Sequence, residues 1–85
     1  MSIRILYFAR LREDMGIAQE MCDLSAETCD VKSLRAQLVA RGGASTAALG
    51  SGKAVRVSVN QDLARDDTPV RAGDEVAFFP PVTGG

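Results

Sequence analysis

A chain of 85 residues, 46% hydrophobic and 25% charged, allows one folded domain with one modest core and is too apolar for intrinsic disorder. Ten Lys and Arg against eleven Asp and Glu leave a formal charge of −1, so no broad positive field exists to hold nucleic-acid phosphates, and no stretch approaches the ~20 apolar residues that span a bilayer. With no histidine, histidine-based acid–base catalysis and histidine metal ligation are excluded; a secretory leader is also lacking, so the expectation is a cytoplasmic protein with no metal site and neither nucleic acid nor membrane as partner.

The opening run Ser2-Ile3-Arg4-Ile5-Leu6-Tyr7-Phe8 is dense in β-branched and aromatic residues and predicts a strand placed centrally in a sheet. Residues 9–15 are good helix formers that stop at Gly16, which suits the left-handed turn after a short helical turn. Met21 and Leu24 mark a second strand over 18–24, forming a hairpin with a long connection. Asp30 precedes Val31, Leu34, Leu38 and Val39, spaced as one helical face, and Gly42-Gly43 follows them, so this is the main helix. Residues 44–53, rich in Gly, Ser and Ala, read as a loop with room for one helical turn. Val55, Val57 and Val59 alternate with polar residues as a strand does, and Asn60-Gln61-Asp62 reads as a turn or bulge. Turn signals at 66–69 and 72–74 bracket a minor strand at Val70, and a last strand over 75–79 must end at Pro80-Pro81, which cannot donate ladder hydrogen bonds.

Strands first, then a helix crossing, then strands returning is an α+β plan: a mixed sheet with one main helix packed on one face. Ubiquitin has this order, the β-grasp fold. Neither a repeat nor a dividing linker is present, which gives a domain over residues 1–79 and an extended tail over 80–85. The plan hosts many unrelated functions, so function must be read from a site. Cys22 and Cys29, separated by six residues, match neither a CxxC redox motif nor a four-ligand zinc site; they read as small apolar or surface residues, with a catalytic thiol as the alternative.

The chain ends Gly84-Gly85, which chance produces in about 0.5% of sequences when ~7% of residues are Gly; a frayed end without a role is the alternative. Pro80-Pro81 stiffens the exit from the fold, and the six residues past Phe79 reach at most roughly 20 Å, far enough to enter a neighbouring protein's active site. Gly84 and Gly85, lacking side chains, fit a channel that any Cβ would obstruct. A terminal carboxylate with a pKa of about 3.3–3.7 is an anion and a poor electrophile near neutral pH. A mixed anhydride with AMP would activate it, and attack by a sulfur donor would then leave a thiocarboxylate, itself a nucleophile. The chain lacks the apparatus for either step, so other proteins must provide it.

The run Asp74-Glu75-Val76-Ala77-Phe78-Phe79-Pro80-Pro81-Val82-Thr83-Gly84-Gly85 resembles the C-terminal signature of the molybdopterin synthase small subunits, the MoaD family. Phe8-Ala9-Arg10-Leu11-Arg12-Glu13 with Gly16, and Val59-Asn60-Gln61, resemble that family's first strand-to-helix segment and central strand end. The resemblance implies that a ubiquitin-activating-type enzyme adenylates Gly85 with ATP and that a sulfur donor protein supplies the sulfur of a thiocarboxylate. It implies further that residues 80–85 insert into the large synthase subunit, in a heterotetramer of two small and two large subunits, where sulfur passes to cyclic pyranopterin monophosphate to form the dithiolene of molybdopterin. The chain would bind no cofactor and would not be catalytic alone; ATP is consumed by the activating enzyme. A thiocarboxylate carrier of another pathway, such as thiamine thiazole synthesis, and a ubiquitin-like protein modifier are the alternatives.

Alternation sends Phe78 and Phe79 to opposite faces of the sheet. The resemblance favours Phe79, with Phe8 and Leu63, as the apolar patch that docks on both the activating enzyme and the large subunit, against the alternative that all three are core residues. The tail residues Pro80, Pro81, Val82 and Thr83 are implied partner contacts as well. Arg10, Arg12 and Arg71 read as solvated charge, with pairing to acidic groups on a partner as the alternative.

Overall fold

In the computed structural model, which describes residues 1–24, 28–50 and 54–81, the chain runs β1 (Ser2–Tyr7), α1 (Arg10–Met15), β2 (Gln19–Asp23), β3 (Thr28–Asp30), α2 (Val31–Ala40), α3 (Ala44–Leu49), β4 (Arg56–Val59), β5 (Asp62–Leu63), β6 (Pro69–Arg71) and β7 (Glu75–Phe79). Five strands form a mixed sheet in the order β2-β1-β7-β4-β5. β1 is antiparallel to β2 and parallel to β7, and β7 is antiparallel to β4. The last strand therefore takes the centre, and β1 lies beside it with a neighbour on each side. Val76, Ala77 and Phe78 are buried in succession, which suits β7 to the position covered on both flanks.

Register sorts the side chains onto two faces. Ile5 pairs with Val76 and Tyr7 with Phe78, while Val57 and Val59 face the same two residues from the other side. These, with Ile3, form the floor of the core, and Leu11, Leu34, Leu38, Ala48 and Leu49 of the three helices form its roof. Tyr7 and Phe78 stack with ring centroids 6.1 Å apart. The Asp30 side chain accepts the Ser33 N–H at 2.7 Å and starts α2 as an N-cap, and Val31, Leu34 and Leu38 are its buried stripe, with Val39 half-buried beside them.

Two features differ from the sequence expectation. Residues 44–49 form a helix rather than a loop: Ser45, Ala48 and Leu49 are buried, and small side chains let α3 approach α1 and α2 without a wide apolar stripe. Arg35 Nε donates to the Leu49 carbonyl at 2.7 Å, placing a cation where the helix dipole is negative. Residues 51–53 of the expected loop lie outside the described residues. The segment at Val70 is a strand, but its partner is β3 in a separate two-stranded sheet, which three residues are too few to announce by periodicity. Asn60 and Gln61, expected in a turn or bulge, have φ of 51° and 72° and form the two-residue turn between β4 and β5 that needs positive φ at both positions, while Asp62 opens β5.

A polar network ties the helices to β2. Tyr7 donates to Glu20 Oε2 at 2.6 Å, and Arg41 donates to both Glu20 oxygens, at 2.8 and 3.0 Å, and to Ser45 Oγ at 2.8 Å. Burial, then the Glu20 carboxylate, pushes the Tyr7 hydroxyl well above the usual tyrosine range. Hydrogen bonding from Arg41 holds Glu20 below the usual carboxylate range.

Candidate functional site at the root of the tail

The tail is rooted in the central strand of the sheet. β7 is hydrogen-bonded on both flanks, and its entry is clamped by Asn60. The Asn60 N–H donates to the Glu75 carbonyl at 2.7 Å, its Oδ1 accepts the Glu75 N–H at 3.0 Å, and its Nδ2 donates to Asp74 Oδ1 at 3.1 Å. On the other flank the Arg4 N–H donates to the Asp74 carbonyl at 3.0 Å. Asn60, turned into positive φ, thus extends the β4 ladder with its side chain where the backbone leaves. The chain exits β7 through half-buried Pro80 and Pro81. Val82, Thr83, Gly84 and Gly85 lie outside the described residues.

The face of the sheet away from the helices carries the second set of side chains. Leu6 pairs with Ala77, Ala77 with Ser58, and Ser58 with Leu63, so one row crosses this face; Phe79, two residues beyond Ala77 and opposite Arg56, points the same way. The Phe8 N–H donates to the Phe78 carbonyl at 3.1 Å, and continuing the register one step past Tyr7–Phe78 sets Phe8 alongside Phe79. Phe8 is 49% exposed and Leu63 66%, whereas Phe78 is 0%. Phe8, Leu63 and half-buried Phe79 therefore share one open face that ends at the tail root, and Phe78 belongs to the core.

Leu6 and Ala77, which join these three across the face, and exposed Met21 at its β2 edge were not singled out from the sequence. The signal was present in the unbroken apolar run from Ile5 to Phe8: a strand with one wet face alternates, and this one does not. Arg10, Arg12 and Arg71 are exposed and, among the described residues, make no ion pair. Cys22 and Cys29 are free and half-buried, and burial pushes both thiols up, away from the thiolate a nucleophile needs. Among the described residues no group of three His, Cys, Asp or Glu side chains is placed to hold a metal ion. No helix among them is long and apolar enough to cross a membrane. What the arrangement offers is a tail root, at Phe79 to Pro81, that leaves the central strand beside an apolar face.

The ThiS family model matches residues 5–85, and the chain is 42% identical to the molybdopterin synthase sulfur carrier subunit of Escherichia coli over 98% of this chain and 99% of that one. The chain belongs to this family of sulfur carrier subunits. Among solved structures it is similar to SAMP1 of Haloferax volcanii, with a TM-score of 0.77 and 29% identity over the whole of both chains. It is also similar to a chain in the complex of subunits 1 and 2 of molybdopterin-converting factor from Helicobacter pylori, with a TM-score of 0.67 and 27% identity over both full lengths. The fold is the ubiquitin-like β-grasp, with the expected main helix, α2, on the covered face and, among the described residues, the shorter α1 and α3 joining it there.

Proposed function

We propose that this family member carries sulfur on the Gly85 carboxylate for a molybdopterin synthase. A separate ubiquitin-activating-type enzyme transfers AMP from ATP to that carboxylate with release of pyrophosphate. The terminal sulfur of a persulfide on a sulfur donor protein then attacks the acyl carbon and AMP departs; a thiol cleaves the resulting acyl disulfide, forming a disulfide with the donor and leaving the thiocarboxylate. The tail, with Gly84 keeping it slim, inserts into the large synthase subunit, and the thiocarboxylate sulfur attacks cyclic pyranopterin monophosphate on the way to the dithiolene. The chain binds no cofactor of its own in this reading, acts in the cytoplasm, and assembles two-to-two with the large subunit.

The observation that carries the reading is the position of the tail root: the central strand releases the tail beside the open face bearing Phe8, Leu63 and Phe79. A partner that covers this face also receives the tail, so one surface serves the activating enzyme and the large subunit in turn. The Helicobacter pylori complex of two subunits supports the large-subunit partner. Deleting Gly85, or adding one residue after it, abolishes conversion of the pterin precursor in a reconstituted synthase while the thermal melt stays unchanged; retained conversion contradicts the tail mechanism.

The likeness to SAMP1, described as small archaeal modifier protein 1, favours a second reading from the same activated intermediate, in which a lysine amine takes the acyl group and an isopeptide bond forms. Conjugate ladders without any thiocarboxylate species would favour it.

A further inference from the structure

The backbone at one corner of the open face points to a contact outside the chain. Ala9, which links Phe8 to α1, has φ 53° and ψ −130°, a backbone region that side-chain-bearing residues rarely enter. The fold contains its own comparison. Gly43 starts α3 with φ 61° and ψ −133°, nearly the same pair of angles, and there the chain uses the residue that adopts them without strain. The two positions do the same local work: the Ala9 carbonyl accepts the Arg12 N–H at 3.1 Å to open α1, and the Gly43 carbonyl accepts the Ala47 N–H at 3.1 Å to open α3. They differ in what surrounds them. Gly43 lies between α2 and α3, whereas Ala9 follows Phe8, whose N–H is bonded to β7 at Phe78.

Ala9 is exposed, so its methyl group buries little inside the fold that would offset the strain. The rest of the fold therefore carries the cost, and a strained residue kept at the surface without local benefit to stability points to a role in function. We infer that Ala9 is a partner-contact residue: its methyl group packs against the large synthase subunit, and its strained backbone holds Phe8 outward, alongside Phe79, in the docking orientation. The inference rests on the docking role proposed for the open face and adds a residue whose contribution to binding runs against its contribution to stability. A glycine at the same place removes the strain and the contacting methyl group together, and it frees the corner that aims Phe8.

The experiment measures thermal melting and the affinity of the full chain for the large subunit of its own synthase in Ala9→Gly, Gly43→Ala and Phe79→Ala. Ala9→Gly raises Tm by about 4–8 °C, as relief of strain in a domain of this size requires, yet weakens binding by about four- to tenfold. Gly43→Ala, where an added Cβ meets no atom within 4 Å and only the backbone angles resist, lowers Tm and leaves binding unchanged. An Ala9→Gly chain with higher Tm and unaltered affinity overturns the inference, and so does one whose Tm does not rise. If Phe79→Ala binds as tightly as wild type, the docking face itself falls and the Ala9 contact falls with it; if only Phe79→Ala weakens binding, the face stands and the Ala9 contact alone is refuted.

Discussion

Phe78 and Phe79 are adjacent in sequence and opposite in environment, and truncating each in turn separates core from docking surface. Phe78 is fully buried and stacked on Tyr7, so Phe78→Ala removes a core ring and leaves a cavity, costing about 3–5 kcal/mol. An 85-residue domain has roughly 4–13 kcal/mol of stability in total, so this loss is a large share of it. Phe79 is half-buried on the open face, and its truncation forfeits about half of a full side-chain burial, on the order of 1 kcal/mol. With a urea m-value of roughly 1.2 kcal/mol per molar, the unfolding midpoint falls by about 2–4 M for Phe78→Ala and by about 1 M or less for Phe79→Ala. Circular dichroism in urea reads the midpoints, and titration calorimetry against the large subunit reads the affinity. Phe79→Ala is expected to weaken binding about tenfold or more as a central apolar anchor. Equal destabilisation by the two substitutions would refute the assignment of faces, and unaltered affinity of Phe79→Ala would remove it from the interface.

Other expectations follow from particular contacts. Tyr7 is the single tyrosine and the chain has no tryptophan, so tyrosinate absorbance reports this residue alone. Because its folded pKa is raised, the stability it contributes is present below about pH 10 and lost as pH rises through the folded value, and absorbance should appear only above the usual tyrosine range, together with unfolding. Glu20 and Asp30 have depressed folded values, so their contribution is present above about pH 4 and lost as pH falls through those values. Glu20→Gln should lower Tm at neutral pH and flatten the acid limb of a Tm–pH curve; an unchanged limb would contradict the Arg41 pairing. Gln61→Gly, at φ 72° in a two-residue turn, should stabilise by up to about 1 kcal/mol, and a lower urea midpoint would refute the turn geometry.

The elements legible in the sequence were those whose side chains repeat with a period long enough to see. Asp30 with Val31, Leu34 and Leu38 announced α2 and its cap, and Val57 and Val59 announced β4. Gly16 ended α1 in the left-handed conformation its position suggested, with φ 77°. The missed elements owe their structure to contacts rather than pattern. α3 is held by Ala48 and Leu49 in the core and by Arg35 at its end, none of which its Gly-rich and Ala-rich neighbourhood advertises. β3 exists because β6 lies beside it. At the candidate site, alternation alone separated Phe79 from Phe78, but the row joining Leu6, Ala77 and Leu63 needed the strand order, because those residues come from three strands distant in sequence. The strained angles of Ala9 left no mark in the sequence, since alanine is also an ordinary helix former.

The central claim is that Gly85 carries the transferred sulfur, and intact-mass analysis of the chain purified from cells with an active activating enzyme and sulfur donor tests it most directly. A species heavier than the unmodified chain by the difference between sulfur and oxygen, localised to Gly85 by fragmentation and lost after incubation with the large subunit and pterin precursor, is the predicted result. A chain that stays at its unmodified mass under those conditions, or that gains the mass at any other residue, would contradict the account.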